Sequence, residues 1–207
     1  LVTFKELGME FPLFEAPVED AIVDGAGNCS HCKAESPVLF NEFCFSCFRS
    51  GEGSNTVDTE YGMVSKEDSL KGCTYGIPLD PNDLPDLPLI AHEVDPQFPD
   101  EHWYSVQFKP ADLIELTRTP IYHTSQGEQW LFCCERPSIF LGHCSSDKLA
   151  EIAEEKKLSI EATLNSLLSH PFDDMCWLVS AIDSGLCDLY LFRCQQCSKL
   201  HAHFDMD

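Results

Sequence analysis

The chain has 207 residues, 43% of them apolar, enough for one sizeable domain or two small ones and too apolar for general disorder. Its 35 acidic residues against 13 basic ones give a formal charge of −22, which repels nucleic-acid phosphates and anionic membranes and excludes both as expected partners. The same field draws in a basic protein, or serves solubility alone. No apolar run is long enough to span a bilayer or act as a signal peptide, since Lys5, Glu6, Glu10 and Pro12 interrupt Leu1 to Glu15. A cytoplasmic chain is expected.

Residues 1–28 carry Phe4, Leu7, Phe11, Phe14 and Val18 among Pro12 and Pro17, a pattern that predicts an extended arm laying aromatics on the core. Next comes the strongest signal in the chain, Cys29-Ser-His-Cys32 followed after eleven residues by Cys44-Phe-Ser-Cys47. Two C-x-x-C pairs at this separation fit a tetrahedral zinc site, because each knuckle aims two thiolates at one point and the loop between them is long enough to return. The expected build is knuckle, short hairpin (Pro37 to Phe43), knuckle. Four unligated thiols or two disulfides are the alternative, less suited to an intracellular chain. A four-thiolate site has no position open to water, so its expected role is structural.

Ser50 to Thr56 reads as a loop, and Asp58 to Gly76 shows little pattern. From residue 77 to 101, six prolines alternate with Asp80, Asp83, Asp86, Glu93, Asp95, Asp100 and Glu101, which predicts an irregular acidic surface segment. Leu84, Leu87, Leu89 and Ile90 give it apolar teeth that grip either a partner or its own core. Those seven acids are the candidate partner-binding residues.

Pro110 to Thr117 predicts a short helix opened by its proline. Gln129 to Cys134 predicts a buried strand that delivers Cys133 and Cys134. Two amphipathic helices follow, Asp147 to Leu158 capped by Ser145 or Ser146, and one capped by Ser159 and stopped by Pro171. Met175 to Ser180 suits a strand or a helix. The chain closes on a strand, the knuckle Cys194-Gln-Gln-Cys197 and a second strand, which makes half of another zinc site. Cys133, Cys134, His143 and Cys144 are the candidate donors for its other half, ahead of His201 and His203.

Trp130-Leu-Phe-Cys-Cys134 with Phe140-Leu-Gly142, then Tyr190-Leu-Phe-Arg-Cys194-x-x-Cys197, together with the early cysteine pairs and Leu116 to Pro120, resemble the CbrC family of bacterial proteins, named for colicin tolerance. The resemblance covers the first third and the part from Leu113 onward, with no counterpart for residues 73–101. It implies that Cys134, Cys194 and Cys197 share a site. Ser138 stands where a further cysteine is expected, so the fourth donor stays open among Cys133, His143 and Cys144, with Cys133 the one expected.

The expected fold is α+β, a small zinc-stapled protein with knuckle hairpins, a short antiparallel sheet and two or three helices. Its expected parts are 1–56 (arm and first zinc unit), 57–109 (acidic segment) and 110–207, the last packed with the first. The expected function is that of a non-catalytic acidic binding protein with two zinc ions. The charge and the resemblance together imply an immunity or tolerance role against a basic protein toxin such as a nuclease; a zinc-stapled adaptor or stress-response protein is the alternative. Pairs such as Cys73 with His92 or Cys176 with His170 could seat a thiol nucleophile, but among 12 cysteines and 8 histidines such pairs arise by chance. No Gly-rich phosphate loop, H-E-x-x-H helix or nucleophile elbow is present.

Overall fold

A computed structural model describes residues 1–169 and 172–206. The helix-stopping role expected of Pro171 and the pairing of Cys176 with His170 lie outside the described residues.

The amino-terminal arm is irregular, as its prolines dictate, with single helical turns at Lys5–Leu7 and Val18–Asp20. Its aromatics are the reason it stays in place. Phe4, Phe11 and Phe14 are buried, and Phe11 meets Phe40 at 5.1 Å between ring centroids in an edge-to-face contact. Leu7, expected beside them, is instead exposed, because Gly8 turns the chain left-handed directly after it.

The strands β1 (Gly27–Asn28) and β2 (Glu35–Ser36) pair across the first knuckle, and the helix α1 (Phe45–Ser50) starts inside the second. Further along, α2 (Lys66–Lys71) occupies a stretch with no apolar period, since only Ser69 of it is buried. Ser65 and Asp68 form a reciprocal capping box there and Gly72 closes it in the left-handed region. The strands β3 (Ile77–Pro78), β4 (Leu89–Ala91) and β5 (Trp103–Val106) form an antiparallel sheet in the order β3-β5-β4. The proline-rich segment is therefore not wholly irregular, for its start and its middle are stitched to β5. Between them and beyond β4 the chain loops out.

The helix α3 (Pro110–Thr117) begins at its proline. The expected strand at Gln129 to Cys134 shortens to β6 (Phe132–Cys133), which pairs with β7 (Arg136–Pro137), while Trp130 bridges Thr59 instead. Then come β8 (Ile139–His143), α4 (Ser146–Lys156), α5 (Ile160–Leu167), α6 (Met175–Ser184), β9 (Cys187–Arg193) and β10 (Leu200–Met206). Ser145 and Ser159 cap α4 and α5, each hydroxyl accepting a backbone N–H three residues on. Residues Met175 to Ser180 are helical, with Asp174 as the cap and Leu178, Ala181 and Ile182 buried at helical spacing.

Strands β8, β9 and β10 form an antiparallel sheet with β9 in the middle. Tyr190 and Phe192 face an aromatic core with Tyr122, Trp130 and Phe140, whereas Leu189 and Leu191 face α4 to α6. Burial on both faces explains why β9 reads as a continuous apolar run. Along the free side of β8, Phe140 exchanges backbone hydrogen bonds with Leu13 and Glu15, so the arm covers that edge. The first core draws residues from Phe4 through Phe192, and so from all three sequence parts. The class is α+β, with six α-helices among the described residues rather than two or three. Of the added ones, α1 and α2 are short, with six residues each, and α6 is the stretch that suits a strand or a helix by sequence.

Candidate metal centres

Two groups of four cysteines each converge: Cys29, Cys32, Cys44 and Cys47 in one, Cys133, Cys134, Cys194 and Cys197 in the other, with the sulfurs of each group within 4.8 Å of one another. Seven of these are the cysteines that the spacing and the resemblance single out, and Cys133 is one of the three donors left open for the second group.

Cys29-x-x-Cys32 and Cys194-x-x-Cys197 are built alike. After the second cysteine, Lys33 and Ser198 adopt positive φ, at 62° and 59°. The Lys33 amide donates to the Cys29 carbonyl at 2.9 Å and the Ser198 amide to the Cys194 carbonyl at 3.2 Å. One residue further on, Ala34 and Lys199 each accept from the first cysteine's N–H at 2.9 Å. This tight turn lets backbone N–H groups reach the first sulfur: Gln196 and Cys197 donate to Cys194 Sγ at 3.3 and 3.4 Å. Burial works against both leading thiolates, yet these N–H donors outweigh it and hold Cys29 and Cys194 at about 6.

The second halves differ from that pattern and from each other. Cys44 is the N-cap of α1 and Cys47 sits in its first turn, so the expected second knuckle is a helix start. Cys133 and Cys134 are consecutive, and they share a site because β6 and β7 are joined by a two-residue turn, Cys134-Glu135, with both residues at positive φ (52° and 58°). That is a type I′ hairpin without the usual asparagine or glycine, and it swings the two sulfurs to the same side, 3.9 Å apart.

The donor set fits a zinc ion. Four thiolates about 2.3 Å from a tetrahedral zinc lie about 3.8 Å from one another. The observed separations are 3.7 Å for Cys32 to Cys44 and 3.6 Å for Cys133 to Cys197, too long for disulfides, which need about 2 Å. Without a cation the sulfurs cannot all ionise. Burial and the neighbouring thiols push Cys47 up to about 12, and the same causes raise Cys133. Each group could therefore hold a metal ion such as zinc, with four protein donors and no place left for water.

Of the other candidate donors, Cys144 is buried in the helical core, His143 lies 3.7 Å from Asp188, and His201 and His203 lie on β10; none joins the cluster. Ser138 is fully buried behind Trp130, whose Nε1 donates to the Ser138 carbonyl at 2.8 Å. Its position is occupied by core packing, and Cys133 supplies the fourth sulfur. His92 bonds Ser105 at 2.7 Å, while Cys73 is pushed up by burial and then by Asp68; His92 is not among the groups acting on it. Cys176 is exposed on α6.

All seven candidate partner-binding acids, Asp80, Asp83, Asp86, Glu93, Asp95, Asp100 and Glu101, are exposed, and every residue from 90 to 101 is exposed. Asp80, Asp100 and Glu101 line one cleft of about 510 Å³ with His102. Asp80 and Asp95 are fixed by Asx turns, accepting from Asn82 and Gln97 amides at 2.8 Å.

Two carboxyls that the sequence did not single out are deeply set. Burial raises Glu60 to about 7 and Glu128 to about 8. Each is an ordinary glutamate beside turn residues, and the bridge of Thr59 to Trp130 joins their segments.

Among the described residues no helix is long and apolar enough to cross a membrane. UPF0167 protein PA1536 of Pseudomonas aeruginosa is 31% identical over 107 residues, 47% of this chain and 52% of that relative. The chain thus aligns with about half the length of this curated relative. No solved structure matches. Residues 9–206 match the uncharacterised protein family UPF0167, and the chain belongs to that family.

Proposed function

We propose that this chain is a non-catalytic, zinc-containing acidic binding protein that takes up and neutralises a basic protein toxin, such as a nuclease. The observation that carries the reading is the exposed loop system around β4 and β5. There Asp80, Asp100 and Glu101 line one cleft, and the same stretch of chain exposes Glu93 and Asp95 together with Ile90, Val94, Phe98 and Trp103. A nuclease keeps a cationic face to hold phosphates. An acidic surface with apolar anchors mimics the phosphates, speeds encounter and adds buried contacts that salt does not screen.

The metal centres support a structural use of zinc. Each has four sulfur donors, so neither offers a position at which a metal-bound water could form. The resemblance to a colicin-tolerance family points the same way.

The test is capture from the source cells with the full chain as bait, washed through a salt series. The expected result is a stoichiometric basic protein retained at about 1 M salt, where surface charge is screened beyond about 3 Å, and whose toxic activity the chain inhibits one to one. The triple variant D80N/D100N/E101Q should retain the fold and slow the association. Retention of only salt-labile proteins, or capture without inhibition, overturns the reading.

A further inference from the structure

Glu60 and His203 belong neither to a metal centre nor to the acidic loops, yet they line the same small cavity. It has a volume of about 140 Å³ and lies where the aromatic core meets the helical core. Leu131, Leu168, Ala202 and Phe204 give it apolar walls, with Gln129 at the rim.

The Glu60 carboxyl accepts one hydrogen bond there, from the Phe132 amide to Oε1 at 2.6 Å. No lysine or arginine acts on it; burial and that amide are the influences it feels. His203 is no counter-ion either. Burial lowers it to about 4, so it is neutral, and its Nε2 lies 2.8 Å from the Tyr122 hydroxyl, which in turn accepts from the Gln129 amide at 2.9 Å. Among the described residues the cavity therefore presents a carboxylate without a cation, a neutral polar flank and an apolar wall.

A largely desolvated carboxylate is costly unless paired, and among the described residues none supplies its cation. A hard metal ion would need several more oxygens than the walls offer. An ammonium needs few acceptors, and its alkyl chain matches the leucines and phenylalanine of the walls. A cavity near 150 Å³ holds a molecule of about six heavy atoms.

We propose that this cavity binds a small protonated primary amine on a short alkyl chain, with Glu60 as its counter-ion. The proposal is independent of the toxin-binding reading, since the cavity shares no residue with the acidic cleft.

The test uses the zinc-loaded full chain, its amide spectrum and n-butylammonium chloride as the probe, at about pH 8, where Glu60 is ionised. Saturable binding with a Kd on the order of 1 mM is expected, as befits five heavy atoms, with shifts confined to Gln129, Leu131, Ala202, His203 and their neighbours. E60Q should weaken binding at least about tenfold while keeping the spectrum of a folded chain. n-Butanol should bind much more weakly than the amine. Absence of saturation, shifts dispersed over the acidic loops, or equal affinity for butanol overturns the proposal. If E60Q does not fold, the wild-type shift map and the butanol comparison decide alone.

Discussion

Cys133 and Cys197 are 64 residues apart in the chain and 3.6 Å apart at their sulfurs. A metal at this point ties the β6–β7 hairpin to the turn between β9 and β10, across the whole helical insertion of α4 to α6. The first centre closes a much shorter loop around β1, β2 and α1. Each metal should therefore hold its own region.

Cys197→Ser is expected to release one metal and raise amide exchange around residues 131–138 and 194–200, leaving the first centre loaded. Cys29→Ser should do the converse, loosening residues 24–50. Structural zinc sites contribute on the order of 10 kcal/mol of apparent folding energy, so either loss should be plain in a thermal scan. Metal content and exchange mapped together check this. A single substitution that empties both centres would show one shared folding unit instead.

The turn of Cys134 and Glu135 stores strain, because L-residues at positive φ crowd the Cβ against the carbonyl. Glu135 is exposed and is not a ligand. Replacing it with glycine should stabilise the loaded protein by about 0.5–1 kcal/mol, read as a higher urea midpoint with unchanged slope. A drop in the midpoint would mean that the Glu135 side chain holds the hairpin in some other way.

Glu128 has a buried carboxyl oxygen with no hydrogen-bond partner and is raised from 4.5 to about 8 by burial. The folded chain therefore keeps a proton that the unfolded chain releases. Its contribution to stability is present below about pH 4.5, falls as pH rises, and is gone above about pH 8, at up to about 1.4 kcal/mol per pH unit. Glu128→Gln removes this dependence. The difference between the two urea midpoints should widen in the variant's favour from about pH 6 to 8. Metal loss on the acid side acts on both alike, and parallel curves would contradict the assignment.

Ser65 accepts from the Asp68 amide at 3.1 Å and Asp68 from the Ser65 amide at 3.3 Å. Since α2 buries little of its own, the cap is most of what starts it. Ser65→Ala should cost about 1 kcal/mol, measurable by denaturation, with metal content unaltered. An effect below a few tenths would place the helix under tertiary control.

Capping and periodicity made α3, α4 and α5 readable, and the C-x-x-C spacing made three of the four cysteine pairs readable. The fourth, Cys133 and Cys134, depends on a type I′ turn that lacks its usual residues, so the sequence could name these cysteines only as donors among several. The start of α1 inside the second pair was hidden because Cys44 is an unusual N-cap. Ser138 shows the limit of carrying a family pattern across. The resemblance expects a cysteine at its position, and tertiary packing behind Trp130 puts the serine in the core. Glu60 and Glu128 carried no local signal, since burial of a lone glutamate is decided by what folds over it.

The most direct check is the mass of the intact, natively folded chain by native mass spectrometry, with zinc counted independently by elemental analysis. Two closed tetrathiolate centres predict two zinc ions per chain, both retained until the protein unfolds, and loss of folded structure when a strong chelator removes them. A chain that is folded and stable with one metal or none would contradict the claim that the two zinc centres hold this fold together.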